Sequence, residues 1–348
     1  MSKIKFGIIG CGEISKKHIH AINNTENASL ICVSDINRSA LEKLSNNSSI
    51  QLYQDYLEMV KSHDLDVIAI LTSSNLRLKI LQDVSKFCKD FIIEKPLALS
   101  VPECEQILKY CESHNINLSI VKQNRYNQPI RLAKKLLDEG HLGEVFMSSA
   151  RMRWSRDQTY YNSSKWRGTW KHDGGALTNQ AIHFIDMLCW FNGEPESVYA
   201  MTKRSLLDIE TEDTGLGLIK FSNGSIASIE ASTAIRPDDI EGCISLFGSK
   251  GSIEIGGFAM NKLNFCKLSD NIPLKDDFYQ NPNEFAYSHS QFYKSFMLNF
   301  LSGCSTTISP RSAFRSIKVI NGFYVSADLK KEISLKDHKL LSTSKLGV

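Results

Sequence analysis

The chain has 348 residues, of which 42% are hydrophobic, and a formal net charge of +3. This length exceeds a single typical core and suits two domains, and the composition is that of an ordinary globular protein. No block of lysine and arginine dominates a segment, which argues against nucleic acid as the main partner. No apolar run reaches the ~20 residues of a membrane span. Glycines break the apolar run near the start, so this first segment resembles a signal peptide only weakly.

The nine cysteines are scattered, odd in number, and include no CxxC pair. This pattern is typical of reduced thiols, so we expect a cytoplasmic protein. No cluster of cysteine and histidine has the spacing of metal ligands, so we expect no metal site.

A buried strand, a glycine turn and a helix are predicted for the segment KIKFGIIGCGEISKKHIHAI. The turn, residues 10–15, is a GxGxxG fingerprint with Ser15 in the third glycine position. Gly10 permits the tight turn, and Gly12 lets the backbone approach a pyrophosphate at the helix N-terminus. Such a turn between a strand and a helix indicates a dinucleotide site.

A second predicted strand, 30–34, is followed by Asp35 at the spacing of a residue that binds the ribose hydroxyls of NAD. The charge of Asp35 would repel a 2′-phosphate, which favours NAD over NADP as the cofactor. Arg38 is the one neighbour that could instead meet a 2′-phosphate.

Further apolar runs at 66–71, 90–93 and 118–121 are predicted to be parallel strands. Alternation of strands and helices predicts an α/β fold that begins with a Rossmann domain, a doubly wound parallel sheet, over residues 1–122. Ligands of such a sheet bind at the carboxyl ends of its strands. We therefore expect one crevice to be lined by the loops 10–15, 72–76 and 94–97.

Residues 123–330 are predicted to form a substrate-binding and oligomerisation α+β domain with a large, mostly antiparallel, open-faced sheet. The predicted strands are 145–153, 197–204, 214–222, 225–233, 242–248 and 251–256, and the predicted helices are 129–139, 176–191, 285–302 and 311–328. The strands between 214 and 233 carry larger apolar residues on both faces, so we expect a second subunit to cover the outer face, giving a homo-oligomer, either a dimer or a tetramer. Residues 331–348 are predicted to be an irregular polar tail.

The helix predicted over 176–191 carries Asn179, His183, Asp186 and Trp190 at helical spacing. A catalytic histidine is usually oriented by a carboxylate one turn earlier, and here that position holds Asn179. The residues alone allow a disabled site, a core histidine, or a site tuned to one substrate.

The glycine fingerprint with Asp35, the motif Glu94-Lys95-Pro96 and a later helix bearing His183 resemble the glucose-fructose oxidoreductase/inositol dehydrogenase/MocA family over nearly the whole chain. This resemblance implies an NAD-binding Rossmann domain and a C-terminal domain whose sheet forms dimers and tetramers. One departure is that the family pattern TPxxxH reads here Thr72-Ser73-Ser74-Asn75-Leu76-Arg77.

A closer resemblance, to the UDP-N-acetyl-2-amino-2-deoxyglucuronate dehydrogenases, lies in VKQNRYNQPIRLAKKLLDEGHLGEV and KWRGTWKHDGGALTNQAIHFIDML. It implies NAD-dependent oxidation of the sugar C3 hydroxyl to a 3-keto sugar, which serves as a precursor of O-antigen polysaccharide. Asn-Gln at 179–180 resembles that group as well, which favours a tuned site over a disabled one.

Lys95 and His183 are predicted to share the proton transfer, with His183 as the base and Lys95 polarising the hydroxyl and relaying its proton. Asn179 would orient the imidazole or bind a substrate hydroxyl through its amide. Arg125, Arg153, Arg156 and Arg167 are candidate partners of a substrate carboxylate or phosphate, and Tyr126, Trp166 and Trp170 offer faces for stacking. His18 and His20 are expected on an exposed helix face, and neither they nor His289 receive a role.

The pattern and the resemblance together imply two sets of binding residues. The residues expected to bind NAD are Gly10, Gly12, Glu13, Ile14, Asp35, Ile36, Thr72, Ser73, Ser74, Leu76, Glu94, Lys95, Gln123, Trp166 and Arg167. The residues expected to bind the nucleotide-sugar substrate are Lys95, Arg125, Tyr126, Arg153, Arg167, Thr169, Asn179, Gln180 and His183.

Two alternatives remain open at this point. One is an oxidoreductase acting on another nucleotide sugar, such as a UDP-N-acetylglucosamine 3-dehydrogenase or a 3-ketosugar reductase. An arginine paired with a substrate C6 carboxylate would argue against it. The other is a nucleotide-sensing regulator without turnover, against which the presence of both Lys95 and His183 argues.

Overall fold

The computed structural model describes residues 3–45, 49–270, 279–304 and 306–347. Within these ranges the chain divides into two compact units. The first comprises the residues up to Ala98 with Glu103–Gln123 and Pro282–Arg311, and the second comprises Leu99–Pro102, Asn124–Asn281 and the residues from Ser312 onward. The sequence predicts an uninterrupted second domain over 123–330, whereas Pro282–Arg311 lies in the first unit.

Each unit contains one sheet. The strands of the first are β1 Ile4–Ile9, β2 Ala28–Ser34, β3 Gln51–Tyr53, β4 Val67–Ile70, β5 Asp90–Ile93 and β6 Asn117–Ile120. The strands of the second are β7 Val145–Arg153, β8 Pro195–Lys203, β9 Thr214–Phe221, β10 Ile226–Ser232, β11 Glu241–Gly248, β12 Gly251–Gly256, β13 Lys262–Leu268 and β14 Ile333–Ser334.

The α-helices follow in chain order. They are α1 Ser15–Asn23, α2 Arg38–Glu42, α3 Tyr56–Ser62, α4 Arg77–Val84, α5 Val101–Ser113, α6 Gln128–Asp138, α7 Gln158–Asn162, α8 Ile182–Asn192, α9 Tyr287–Leu301, α10 Pro310–Leu329 and α11 His338–Leu341. A π-helical segment, Ala176–Gln180, precedes α8.

The sheet of the first unit is parallel, with the strand order β3-β2-β1-β4-β5-β6. This is the predicted doubly wound sheet, and its central strands are fully buried apolar runs. The strand β3 was not predicted because it has only three residues and is partly exposed. All strands point the same way, so their carboxyl ends lie along one edge.

Helix α9 explains why a late segment belongs to the first unit. Its Tyr293 and Phe296 are buried, and both rings meet the ring of Phe6 on β1 edge-on, at centroid distances of 5.9 and 6.2 Å. Aromatic contacts of this kind bury large apolar surfaces. The sequence predicts this helix, but it does not predict that the helix packs against the first sheet.

The sheet of the second unit has the order β13-β12-β11-β7-β10-β9-β8-β14 and is antiparallel except for the pair β7 and β10. The predicted α/β fold with a mostly antiparallel second sheet is confirmed. Helices cover one face, where Gly217 is needed because a Cβ there would lie 2.5 Å from the ring of Phe323 on α10. The other face exposes Met201, Leu216, Leu218 and Ile226 by 50–63%.

The predicted irregular tail, 331–348, is wrong in part. The strand β14 pairs with β8, α11 forms a single turn, and Val348 lies outside the described residues. Four apolar side chains that drive this packing are buried, namely Ile333, Leu335, Leu341 and Leu346. In the described ranges no helix is both long and apolar enough to cross a membrane.

The packing of the tail is tested by Leu341→Ala. This side chain is fully buried, so its truncation should lower the free energy of unfolding by about 2–4 kcal/mol through lost burial and the cavity left behind. Urea unfolding measures the change. Leu329→Ala, at a site that is 48% exposed, is the matched control and should have an effect below about 1 kcal/mol. Equal effects of the two substitutions would contradict a packed tail.

Candidate functional site

The glycine turn after β1 is shaped by Gly10 and Gly12. Gly10 has a φ of +101°, and a Cβ there would lie 3.0 Å from backbone atoms of Leu71 and Thr72, so only glycine fits. A Cβ at Gly12 would meet nothing within 4 Å, which leaves room in front of the first turn of α1. Ser15 is buried and donates a hydrogen bond to the Gly12 carbonyl at 2.7 Å. This arrangement suits a phosphate approaching the helix N-terminus.

Asp35 follows β2 at the same edge of the sheet. Its carboxylate accepts hydrogen bonds from the backbone N–H groups of Cys11 and Asn37, both at 2.7 Å. Arg38, the alternative partner for a 2′-phosphate, lies on exposed α2 in an ion pair with Glu42 at 3.2 Å. The negative charge held beside the glycine turn suits NAD and would repel a 2′-phosphate.

The loop after β4 contains the departure from the TPxxxH pattern, and Arg77 stands at the histidine position of that pattern. Its buried guanidinium donates to the carbonyl of Thr72 at 2.9 and 3.1 Å and to the carbonyls of Glu94 and Pro96. Burial lowers the pKa of Arg77 to about 10, and the nearby Glu94 opposes that shift, so the group stays charged at neutral pH. Arg77 therefore ties this loop to both neighbours of Lys95.

Glu94 is the buried centre of a polar cluster in the first unit. Its Oε1 accepts a hydrogen bond from Nε2 of His18 at 2.9 Å and lies 3.5 Å from Nε2 of His289, while its Oε2 accepts from the backbone N–H of Lys95 at 2.9 Å. The phenol of Tyr293 contacts the other ring nitrogen of His18 at 2.8 Å. Lys95, itself partly buried, is thus fixed through its own backbone.

Electrostatics favour the charged form of Glu94 despite its burial. Burial alone would raise the pKa of its carboxyl, but the contacts with His18 and His289 outweigh that effect and hold it well below its usual value. The expectation that His18 lies on an exposed face is wrong, because α9 covers that face of α1. In the described ranges the donor atoms of His18, Glu94 and His289 lie within 4.8 Å of one another, close enough to share a metal ion.

Gln123, which follows β6, has its side-chain oxygen Oε1 buried without a hydrogen-bond partner among the described residues. An orphaned acceptor of this kind is available to a donor on a bound ligand. It lies at the carboxyl edge with the glycine turn, Asp35 and the two loops tied by Arg77. These features fit a dinucleotide along that edge, where Ile36 and Leu76 also expose apolar side chains.

In the second unit, the predicted helix 176–191 is present as the π-helical segment followed by α8. Nearly every residue from 173 to 189 is buried; the exceptions are Asn179, Gln180 and His183, which are partly exposed. π-Helical turns often occur at functional sites. Two amides and an imidazole are therefore presented by an otherwise buried segment.

Arg125, a predicted substrate ligand, is bound to the helix that carries His183. Its Nε and Nη2 meet the two carboxylate oxygens of Asp186 at 2.8 Å each, and Nη2 also donates to the hydroxyl of Ser312 at 3.2 Å. The guanidinium lies 5.0 Å from the ring of Trp190. The bidentate capacity of Arg125 is thus taken up by Asp186, which is buried and is not on an exposed face of α8.

Arg167 is brought close to the amide of Gln180 by Tyr160, which the sequence did not single out. The Tyr160 hydroxyl accepts hydrogen bonds from Arg167 and from the side chain of Gln180, the latter at 3.0 Å. The guanidinium also lies 4.2 Å from the Tyr160 ring and 4.6 Å from the Trp166 ring. A cavity of about 310 Å³ adjoins Arg167 and is lined by Thr169, Arg204, Asp208 and Glu210 among others.

Of the other predicted arginines, Arg156 also reaches this place, with its guanidinium 5.6 Å from the Tyr160 ring, whereas Arg153 does not. Arg153 lies on the outer face of the sheet, opposite α8, with its guanidinium on Glu230 and Glu241 at 2.6–2.8 Å. Arg156 pairs with Asp239 at 3.1 Å. Tyr126 is partly exposed on the short 3₁₀ turn Gln123–Tyr126.

Family models match both parts of the chain. Residues 4–121 match the oxidoreductase family with an NAD-binding Rossmann fold, and residues 130–254 match the GFO/IDH/MocA C-terminal domain. The two matched regions correspond to the parallel sheet with its glycine turn and to the antiparallel sheet with its π-helical segment. Fold and site thus define an NAD-dependent oxidoreductase.

Solved structures and curated proteins agree with this class. The WlbA dehydrogenase from Bordetella pertussis, crystallised with NADH and UDP-GlcNAcA, is 31% identical with a TM-score of 0.88, covering 96% of this chain and 98% of that one. The WlbA dehydrogenase from Chromobacterium violaceum, with the same ligands, is 29% identical with a TM-score of 0.86 and 96% coverage of both chains. Myo-inositol 2-dehydrogenase from Thermotoga maritima is 22% identical over 96% of this chain and 98% of its own.

The chain belongs to the Gfo/Idh/MocA family and is an NAD-dependent sugar oxidoreductase. The predicted family, cofactor and enzyme class are confirmed. When bound, NAD would lie on the glycine turn, Asp35 and the loops joined by Arg77, and it would supply the hydride acceptor.

The buried pairing of Glu94 is tested by Glu94→Gln. The variant should lose about 3 kcal/mol of unfolding free energy at pH 7, because His18 and His289 lose their carboxylate. The folded-state pKa of Glu94 lies below its unfolded value, so its contribution is complete above pH ~4.3 and is lost as the pH falls further. Urea unfolding at pH 7 and in acid should therefore show a narrowing gap between wild type and variant.

The exposed Glu26 supplies the matched control, and Glu26→Gln should leave unfolding unchanged at both pH values. A gap between wild type and Glu94→Gln that stays constant or widens in acid would contradict the ionised pairing of Glu94.

Proposed function

We propose that this enzyme oxidises the C3 hydroxyl of a UDP-2-acetamido-2-deoxyglucuronic acid to the 3-keto sugar, as a step toward cell-surface polysaccharide such as O-antigen. The choice of substrate is supported by the likeness to the two WlbA dehydrogenases bound to UDP-GlcNAcA, which extends over 96% of the chain. It is also supported by Asn-Gln at 179–180, the feature that resembles this group in the sequence.

The structural observation that carries the proposal is the partial exposure of Asn179, Gln180 and His183 on a buried helical segment. Polar side chains in such a place need a reason to be retained, since a buried helix packs best when it is apolar. Recognition of sugar hydroxyls by two amides, and removal of one hydroxyl proton by the imidazole, supply that reason.

In the proposed reaction the C3–H bond breaks and the C3 hydroxyl proton passes to the protein as the C=O bond forms, and bound NAD would supply the acceptor of the hydride. His183 is the base that accepts this proton. Lys95 polarises the hydroxyl and relays the proton, and its position is set by Glu94 and by the hold of Arg77 on both flanking carbonyls. Asn179 orients the imidazole or binds a neighbouring hydroxyl.

Recognition of the anionic part of the substrate is assigned to Arg167. It combines a guanidinium, two aromatic faces and an adjoining cavity that also contains Thr169 and Arg204. A planar guanidinium is well suited to bidentate recognition of a carboxylate or a phosphate. Asp208 and Glu210 on the cavity wall would restrict where an anion can bind.

We further propose a cytoplasmic homo-oligomer formed through the outer face of the second sheet. The exposed Met201, Leu216, Leu218 and Ile226 support an interface there, because a contiguous apolar patch is unfavourable in water. Seven of the nine cysteines are buried and the described residues contain no disulfide bond, which suits a reducing compartment.

The catalytic assignment is tested with Lys95→Ala and His183→Ala. Each should lower kcat by at least tenfold, because a positioned acid or base contributes about 10²–10⁴-fold to such a step. Formation of NADH from NAD and the UDP-uronic acid measures it. Lys79→Ala and His141→Ala, at sites outside the proposed machinery, should keep the wild-type rate. Losses below tenfold in both test variants would reject these roles.

The identity of the sugar is tested with Arg167→Ala and a pair of substrates. The variant should lose about 10–100-fold in kcat/KM with the UDP-uronic acid, because a charge-assisted contact to the C6 carboxylate is removed. It should lose much less with the parent UDP-N-acetylhexosamine, and Arg131→Ala on the exposed side of α6 should lose nothing with either. If the wild-type enzyme prefers the UDP-N-acetylhexosamine, the result would favour the alternative function, an oxidoreductase acting on another nucleotide sugar.

A further inference from the structure

Glu212 is a buried carboxylate that contacts the start of the π-helical segment from another element. It directly precedes Asp213 and β9, and it is 4% exposed. Its backbone carbonyl accepts from the N–H of Ala176 at 3.1 Å, and its Oε1 accepts from the N–H of Leu177 at 2.9 Å. The same Oε1 accepts from the hydroxyl of Tyr324 on α10 at 2.9 Å.

Tyr324 completes this cap. Its hydroxyl contacts Oγ1 of Thr178 at 2.9 Å and accepts from the N–H of Gly175 at 3.3 Å. The opening N–H groups of a helix have no partner within the helix, and a carboxylate at that end is also favoured by the helix dipole. Glu212 and Tyr324 together satisfy the N–H groups of three successive residues.

The fit between the carboxylate and the backbone is close. A Cβ at Gly175 would lie 1.8 Å from Oε2 of Glu212, so a larger residue there would displace the carboxylate. Two residues beyond Leu177 stands Asn179, and Gln180 follows. The cap therefore lies within three residues of both partly exposed amides.

Ionisation of Glu212 is disfavoured by its burial. Burial raises the pKa of Glu212 to about 7, with a smaller contribution from Asp173, and the hydrogen bonds from Leu177 and Tyr324 only partly oppose this. The other titratable groups nearby, Tyr161 on α7 and the adjacent Asp213, offer no positive charge. Within the part of the chain that the structure describes, Oε2 of Glu212 has no hydrogen-bond partner.

The raised pKa of Glu212 makes the stability of the fold depend on pH. The folded protein holds the Glu212 proton more tightly than the unfolded chain, so stability falls as the pH rises from about 4.5 to about 7. A glutamine of the same shape could cap the segment without that penalty.

We propose that Glu212, together with Tyr324, is a positioning residue that fixes the turn Gly175–Leu177 and thereby the orientation of Asn179 and Gln180 toward the sugar. This inference rests on the function proposed above. The carboxylate form holds the turn through stronger, charge-assisted hydrogen bonds than a neutral side chain can make.

The test compares wild type with Glu212→Gln at pH 8 by thermal unfolding, by NAD binding and by steady-state kinetics. The variant should unfold at the same or a higher temperature and bind NAD as the wild type does. Its kcat should fall about tenfold or more, because a small misplacement of a substrate-positioning group is costly. Glu196→Gln on β8 is the matched control and should change none of these.

Two outcomes overturn the inference. One is a wild-type kcat in Glu212→Gln. The other is a variant that is less stable at pH 8 and loses activity only in proportion to its unfolded fraction, which is the result of a merely structural role. If Glu212→Gln does not fold, Tyr324→Phe, which removes only the hydroxyl, decides the matter: a severalfold lower kcat supports the inference and a wild-type kcat overturns it.

Assays of the wild-type enzyme with different sugar substrates distinguish a failure of this inference from a failure of the proposed function. If wild type reduces NAD with another sugar and not with the UDP-uronic acid, the proposed substrate is wrong. The Glu212→Gln comparison is then made with that other sugar, and its outcome still decides the role of Glu212. The unfolding comparison needs no substrate.

Discussion

A carboxylate removed from water must find charge or hydrogen bonds within the protein, and Glu94 meets that requirement in a way that fixes Lys95. Its two oxygens are divided between His18 on one side and the backbone of Lys95 on the other, with His289 nearby. Arg77 then holds the carbonyls on both sides of Lys95. The lysine is therefore anchored by buried electrostatics, and the rest of the first unit supplies the histidines and the sheet edge that this anchoring needs.

The second unit also contains a buried carboxyl group, that of Glu212, whose pKa is shifted in the opposite direction. Partners hold the pKa of Glu94 low, so its charge stabilises the fold, whereas burial raises the pKa of Glu212 to about 7. Glu212 adjoins the segment that presents Asn179, Gln180 and His183. Each candidate catalytic region thus contacts a buried carboxyl group, one whose ionised form is favoured by its partners and one whose ionised form is disfavoured by burial.

The sequence predicts those features that depend on local pattern. The parallel strands are apolar runs and β7 alternates, so their positions follow from burial, and the glycine turn follows from backbone geometry. The edge strands β3 and β13 have weak patterns and were not predicted, because their side chains are largely exposed or intermediate. The motifs around Lys95 and His183 could likewise be recognised from residue type and order.

Features that depend on distant partners could not be predicted. The burial of His18 requires α9, which is far along the chain, and the engagement of Arg125 requires Asp186. The π-helical turn has no local signature, since its first N–H groups are satisfied by Glu212 and Tyr324. Arg153 had a suitable charge for a substrate ligand, but strand alternation places it on the outer face.

The central claim is that a hydride leaves C3 of a nucleotide sugar for NAD. The most direct measurement uses a UDP-2-acetamido-2-deoxyglucuronic acid labelled with deuterium at C3, with mass spectrometry of the cofactor and of the sugar product. We expect a reduced cofactor carrying the deuterium, an unlabelled 3-keto sugar and slower turnover than with unlabelled substrate. Reduced cofactor without deuterium, or a product that keeps its label at C3, would contradict it.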